Sequence, residues 1–167
     1  MSPDAAERLA VELSPQCGEE EDPLIRSELV LTLGALDSPT ARQSLLAAGQ
    51  DPDSRVRIAA CKAWADIGDE TASSELARIL SSDMDQDVRF AAAKCLGKAG
   101  GPHAVAALGK ALDDRDPAMQ YLAMESLRET TGEDYGHDAR LWKQYAQGQT
   151  PVREEKGIAQ RVQDLFY

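Results

Sequence analysis

The sequence has few aromatic residues, an excess of acidic over basic residues, and no long apolar run. Aromatic side chains make up only 5% of the 167 residues although 43% are hydrophobic, so small side chains must provide most of the packing. The formal net charge of −11 argues against binding to nucleic acid, which requires a concentrated basic surface. The longest uncharged apolar run, Leu29 to Leu36, is far shorter than the roughly 20 residues that span a bilayer. We therefore expect a soluble protein that binds neither nucleic acid nor membrane.

Cysteine and histidine are also scarce. Cys17, Cys61 and Cys95 are widely separated and include no Cys-x-x-Cys pair, which indicates a reduced, cytoplasmic setting. The N-terminus is polar and acidic, unlike a signal peptide. His103 and His137 belong to no His-x-x-x-His or His-Glu pair, and the common nucleophile and phosphate-loop motifs are missing. We expect no catalytic residues, no metal site and no cofactor.

The sequence does contain a repeat with a period of 31 or 32 residues. The segment from Asp83 to Gly100 recurs imperfectly at 51–68, with a third copy from Asp114 and a weaker one from Glu20. A fixed period of this length is typical of stacked-repeat proteins. In the copy at 51–68, apolar residues follow helical spacing along one face. These residues are Val56, Ala59, Ala60, Ala63 and Ile67.

A second helical pattern precedes each copy, so each unit contains a first and a second helix. Every first helix has alanine three residues and leucine seven residues after the residue that precedes its first turn, which is Ser2, Ser38, Asp69 or Gly101. Aspartates before the second helices have the position of N-caps, and glycines follow their ends. The first helices are predicted over 3–13, 39–49, 70–81 and 102–112, and the second helices over 23–36, 54–67, 86–99 and 117–130. Residues 14–18 are an insertion in the first unit, where we expect a mobile loop.

The pattern Asp-x-Asp-x-x-Val-Arg-x-x-Ala-Ala-x-x-Leu/Trp-x-x-x-Gly resembles the HEAT-repeat family, in particular the short repeats first associated with phycobilisome lyases. The resemblance covers about 2–132. It implies an all-α, right-handed α-solenoid of about four helix pairs. The expected units are 2–36, 38–67, 69–99 and 101–131. In this family the arginine at the positions of Arg26, Arg57 and Arg89 usually pairs with an aspartate of a neighbouring turn, so we expect a structural role for it.

The pattern changes after the last repeat. Residues 133–148 resemble the tryptophan-bearing helix that often closes bacterial arrays of this family, with Asp138 as its N-cap. The side chains expected to cover the last repeat are Leu141, Trp142 and Tyr145. Residues 149–167 are interpreted as a linker and a short amphipathic tail helix. Val162, Leu165 and Phe166 are predicted to dock, either on the array itself as part of its cap or on another molecule, which includes self-association.

The outward face of the second helices is the candidate binding surface. At about 100° per residue, Ile58 lies near 200° from the core residue Val56 and points away from the first helix. Exposed apolar side chains on a strongly charged protein usually mark an interaction site, although neighbouring second helices could also cover them. The residues assigned to this concave surface are Val30, Leu31, Ile58, Cys61, Lys62, Phe90, Lys94, Tyr121 and Met124.

These features predict a non-catalytic scaffold or adaptor that binds a protein partner on its concave surface. The resemblance to phycobilisome-lyase repeats leaves an alternative from a different class, which is a lyase-like or chaperone role for a tetrapyrrole (bilin) chromophore. Repeat architecture by itself does not decide between the two, because one fold hosts many functions.

Overall fold

The computed structural model describes residues 1–152, which form nine α-helices and no strand. In chain order they are α1 (Pro3–Glu19), α2 (Pro23–Leu36), α3 (Pro39–Ala48), α4 (Ser54–Ile67), α5 (Glu70–Ser82), α6 (Gln86–Ala99), α7 (Gly101–Ala111), α8 (Pro117–Thr131) and α9 (Ala139–Ala146). The first eight make four consecutive pairs, and the predicted all-α class is confirmed. None of the nine is long and apolar enough to cross a membrane. The predicted tail residues Val162, Leu165 and Phe166 lie outside the described residues.

Each second helix begins at an aspartate that caps it, as the sequence predicts. In all four helices the carboxylate accepts a hydrogen bond from the backbone N–H two residues ahead, at 2.8 to 2.9 Å. The four caps are Asp22, Asp53, Asp85 and Asp116. Helices α4 and α8 end at Gly68 and Gly132, whose φ angles of 65° and 72° lie in the left-handed region that favours glycine. Local residue chemistry therefore defines where these helices begin and end.

The first helix is longer than predicted. Residues 14–18 are helical in α1, so the expectation of a mobile loop is wrong. Pro15 lies inside the helix, where its missing N–H removes one backbone hydrogen bond. Tertiary contacts hold the extra turn in place, because Cys17 is buried and its thiol lies 4.0 Å from the carbonyl oxygen of Arg26. The insertion lengthens a helix that packs against the next one.

Two layers of helices build the array. The second helices α2, α4, α6 and α8 pack side by side in chain order, with the most extensive contacts between α2 and α4. The first helices lie on one side of this layer, where α1 contacts α3 and α5 contacts α7. Alanine at repeating positions makes this close packing possible, as the low aromatic content predicts. The fully buried alanines of the described chain are Ala10, Ala41, Ala60, Ala72, Ala92, Ala93, Ala104 and Ala123.

Helix α9 packs on α7 and α8 at the end of the array. Trp142 is completely buried, and its indole N–H donates a hydrogen bond to the carbonyl oxygen of Gly136 at 2.9 Å. The ring of Tyr135 meets Trp142 edge-on, with 4.9 Å between ring centres. A Cβ atom added to Gly109 of α7 would lie 2.5 Å from the Cβ of Ala146, so glycine is what lets α9 approach this closely. Asp138 caps α9, as predicted from the sequence.

Candidate protein-binding surface

Arginines in the second helices bind aspartates in the turns of the next unit and so connect neighbouring units. Arg26 donates two hydrogen bonds to the carboxylate of Asp51 in the next unit, at 2.7 and 2.9 Å. Arg57 makes the same pair of bonds with Asp83, at 2.8 and 3.0 Å. Two-point arginine–carboxylate pairs fix orientation as well as distance. The structural role expected for the arginines is confirmed at these two positions.

The third arginine departs from this pattern. Arg89 donates to the backbone carbonyls of Asp83 and Met84 at 2.8 and 3.2 Å, but within residues 1–152 it makes no ion pair with Asp114, the equivalent aspartate. In the fourth unit Gln120 takes the arginine position and donates to the carbonyl of Asp114 at 2.7 Å. The bond to a turn carbonyl is therefore common to the units, whereas the ion pair is not.

The paired aspartates are held in their charged form. Burial alone raises the pKa of Asp51 and of Asp83, because it disfavours the charged carboxylate. Hydrogen bonds from the partner arginine and from a backbone N–H two residues ahead outweigh burial and leave both pKa values lowered. These groups rigidify the turns and are not available to a ligand.

Small residues bring the second helices together. A Cβ atom added to Gly34 of α2 would lie 2.5 Å from the Cβ of Ala63 in α4. A Cβ added to Gly97 of α6 would lie 3.0 Å from Ser126 in α8. Because the helices approach so closely, side chains that point toward a neighbouring second helix become buried, and only those pointing directly outward reach the surface.

This packing corrects part of the predicted site. Val30 and Cys61 are completely buried and Met124 is 6% exposed, so none of the three can contact a partner. Their positions face neighbouring second helices rather than solvent. At Cys61, for example, burial raises the pKa of the thiol far above its ordinary value.

The other predicted residues do reach the surface. Lys62, Lys94 and Tyr121 are exposed, and Tyr121 keeps 52% of its area accessible. Three apolar residues are half-buried against the core. These are Leu31, Ile58 and Phe90. We call the outward surface of α2, α4, α6 and α8 that carries these six residues the B-helix face.

A groove between α2 and α4 contains two apolar residues that the sequence analysis missed. Leu24 and Ile25 are 58% and 51% exposed, and they line this groove with Leu31 and Ile58. Ile25 occupies the repeat position of Val56, which is buried and shares a hollow with Val30 of the preceding unit. No second helix precedes α2 in the described residues, so Ile25 is left uncovered. The place of Ile25 in the first described unit was the signal that could have found it.

A second groove runs along α4 and α6 and has a basic border. Its apolar floor contains Ala65, Ala91 and Cys95, and it encloses about 400 Å³. The polar residues that line it are Lys62, Asp66, Lys94, Lys98 and Glu129. Lys62 lines both grooves and therefore lies between them. Burial raises the pKa of the Cys95 thiol to about 11, so the thiol is uncharged at neutral pH.

Tyr121 lies at the far end of the B-helix face beside the segment that leads to α9. Its ring contacts the ring of His137, with 5.2 Å between ring centres. His137 Nε2 lies 3.8 Å from a carboxylate oxygen of Glu125. An aromatic ring with a polar tip is therefore displayed at this end of the surface, held in position from one side.

Within residues 1–152, no three side chains of His, Cys, Asp or Glu come together in a way that could hold a metal ion. The other histidine, His103, makes an exposed contact of 3.2 Å with Glu70.

Comparison with known proteins places this architecture in a family. A family model for HEAT repeats matches residues 11–83 and 73–153, which together cover most of the chain. The chain belongs to the HEAT-repeat family. The match is to HEAT repeats in general, and the phycobilisome-lyase type stays a prediction. None of the curated proteins matches this HEAT-repeat chain.

Among solved structures, human deoxyhypusine hydroxylase in complex with glycerol is similar to this HEAT-repeat chain, with a TM-score of 0.65 at 21% sequence identity. The similarity covers 74% of this chain and 44% of the hydroxylase, so this chain spans less than half the length of that protein. At this level of identity, the comparison shows a shared fold and carries no activity from one protein to the other.

Proposed function

We propose that this HEAT-repeat protein is a non-catalytic scaffold that binds a protein partner on its B-helix face. The observation that supports the proposal is the groove between α2 and α4, where Leu24 and Ile25 expose more than half of their area. Large apolar side chains that cluster in a depression on a protein of net charge −11 are typical of an interaction surface.

The shape of the surface also suits a protein partner. Two neighbouring open grooves, one between α2 and α4 and one along α4 and α6, lie side by side on this face, and solenoids bind extended partners on such surfaces. Half-buried Ile58 and Phe90 would contribute apolar contact area without rearrangement of the core. Tyr121 would extend the contact to the fourth unit, since tyrosine is one of the residues enriched at interface centres.

The test compares two triple variants by affinity capture from the source cells. The first removes exposed apolar groups from the second helices: Leu24→Ser, Ile25→Ser and Tyr121→Ser. The matched control removes three exposed apolar groups elsewhere on the surface: Val11→Ser, Leu46→Ser and Met84→Ser. All six side chains are at least 38% exposed, so both variants should melt close to the parent.

We expect the parent and the control to capture the same protein, and the first variant to lose it. Calorimetry with that purified protein should then show binding weakened at least tenfold only in the first variant. Equal capture by both variants would contradict the assignment of the surface. A pigment that co-purifies and absorbs as a tetrapyrrole, without a protein partner, would favour the chromophore role instead.

A further inference from the structure

We propose that the segment bound by the B-helix face is an acidic peptide, whose apolar side chains enter the two grooves and whose carboxylates meet Lys62 and Lys94. This inference rests on the proposed function, because it assigns a chemistry to the partner of that same surface. It is carried by the distribution of positive charge around the grooves.

Lysine is concentrated on this face of an otherwise acidic molecule. The chain has 29 acidic and 18 basic residues, yet three of its six lysines border one groove. Lys98 is paired with Asp66. Lys62 and Lys94 are exposed, and neither makes an ion pair with any residue of 1–152. Two lysines without ion-pair partners in residues 1–152 therefore line the second groove, and one of them, Lys62, also lines the first.

The acidic residues of the same surface form no ion pair with these two lysines. Asp66 pairs with Lys98, and Glu28 and Glu129, which line the grooves, make no ion pair with Lys62 or Lys94 within residues 1–152. A purely apolar occupant would cover part of both ammonium groups without offering them a partner, which is unfavourable. A segment with carboxylates beside apolar anchors supplies that partner and also speeds association by electrostatic attraction.

The dimensions indicate the length of the segment. Packed helices lie about 8 to 10 Å apart, so the three helices α2, α4 and α6 span roughly 20 Å between outer axes. An extended chain covers that distance in about six residues and a helix in about 13. A displayed library of random peptides of about 15 residues is therefore long enough to report the preference of the surface in either conformation.

The experiment selects this peptide library on the intact protein and then measures the best peptide by fluorescence anisotropy. We expect enriched peptides that combine Asp or Glu with large apolar residues, and an affinity that falls as salt concentration rises. Lys62→Gln with Lys94→Gln should weaken binding about threefold to tenfold, as expected for two exposed charge pairs. Both lysines are exposed, so the melting temperature should stay close to that of the parent.

The matched control removes two exposed positive charges outside the grooves, Lys110→Gln and Arg115→Gln, and should leave the affinity unchanged. Loss of binding in Leu24→Ser with Ile25→Ser confirms that the peptide occupies the grooves. If the enriched peptides need these apolar residues but are neutral or basic, or ignore Lys62 and Lys94, the acidic-peptide proposal is wrong while the scaffold proposal stands. If no enriched peptide depends on the B-helix face, both are wrong.

Discussion

Arg57 and Asp83 belong to successive units and are joined by two hydrogen bonds of 2.8 and 3.0 Å, with 15% and 7% of their side chains exposed. Arg57 also donates to the carbonyl of Asp51 in its own turn at 2.8 Å. One side chain therefore connects the turn before its helix with the turn of the next unit. Arg89 keeps the bond to the carbonyl of the turn before its helix but lacks the ion pair with the next unit. The two contributions to stability can therefore be separated.

Replacing the arginine by glutamine tests how much the turn bond and the ion pair each contribute to stability. Gln120 shows that glutamine retains the bond to the turn carbonyl. Arg57→Gln should lower the free energy of unfolding by about 2 to 3 kcal/mol, because it leaves the buried carboxylate of Asp83 without its charged partner. Arg89→Gln should lower it by less than about 1 kcal/mol, since no ion pair is lost. Urea denaturation measures both values, and equal losses would show that the ion pair adds nothing.

Gly34 tests the close approach of α2 and α4. Gly34→Ala should destabilise the protein by about 1 to 3 kcal/mol although alanine favours helix, because the added methyl group would lie 2.5 Å from the Cβ of Ala63. Gly18→Ala is the control, since nothing lies within 4 Å of a Cβ there and α1 should gain up to about 1 kcal/mol. Opposite shifts in melting temperature are expected, and a stabilised Gly34→Ala variant would refute the packing.

The lowered pKa values of Asp51 and Asp83 predict acid sensitivity. Below their unfolded pKa of about 4, the unfolded chain binds more protons than the folded chain, so unfolding becomes easier as pH falls. The stabilisation should be complete above about pH 5 and should disappear as pH drops through the folded pKa values. Asp51→Asn with Asp83→Asn should flatten the pH dependence of the unfolding free energy between about pH 5 and pH 3. Asp4→Asn with Asp87→Asn, at two exposed positions, is the control. If the unfolding free energy of the Asp51→Asn, Asp83→Asn variant still falls with pH as steeply as that of the parent, these two aspartates are not the source of the acid sensitivity.

Ala60 tests the core face of the second helices. It is completely buried between helices, so Ala60→Asp should destabilise the protein by more than about 4 kcal/mol by placing an unpaired charge in the core. Ala106→Asp introduces the same change at an exposed position of α7 and should cost less than about 1 kcal/mol. Thermal unfolding followed by circular dichroism measures both. Similar melting temperatures for the two variants would mean that the core face is assigned wrongly.

The sequence by itself determined where most helices lie. The aspartate caps, the glycines at helix ends and the repeating apolar positions act over fewer than a dozen consecutive residues, so their effect can be recognised without knowing the neighbours. Asp53 and Gly68, for example, bound α4 as predicted. The contact of Arg26 with Asp51 was also predictable, although its source was the resemblance to a family rather than local spacing.

Only the tertiary structure decided which side chains are exposed. Cys61 lies between the core face and the outward face of α4, and the closeness of α6 buries it. Ile25 and Val56 hold the same repeat position, but the described chain offers a covering second helix only to Val56. Pro15 should end a helix on local grounds, yet the burial of Cys17 helps extend α1 beyond it. The physical reason is the same in all three cases. Burial depends on how closely a helix that is distant in the sequence packs against the residue. The periodicity within one helix carries no information about that distance.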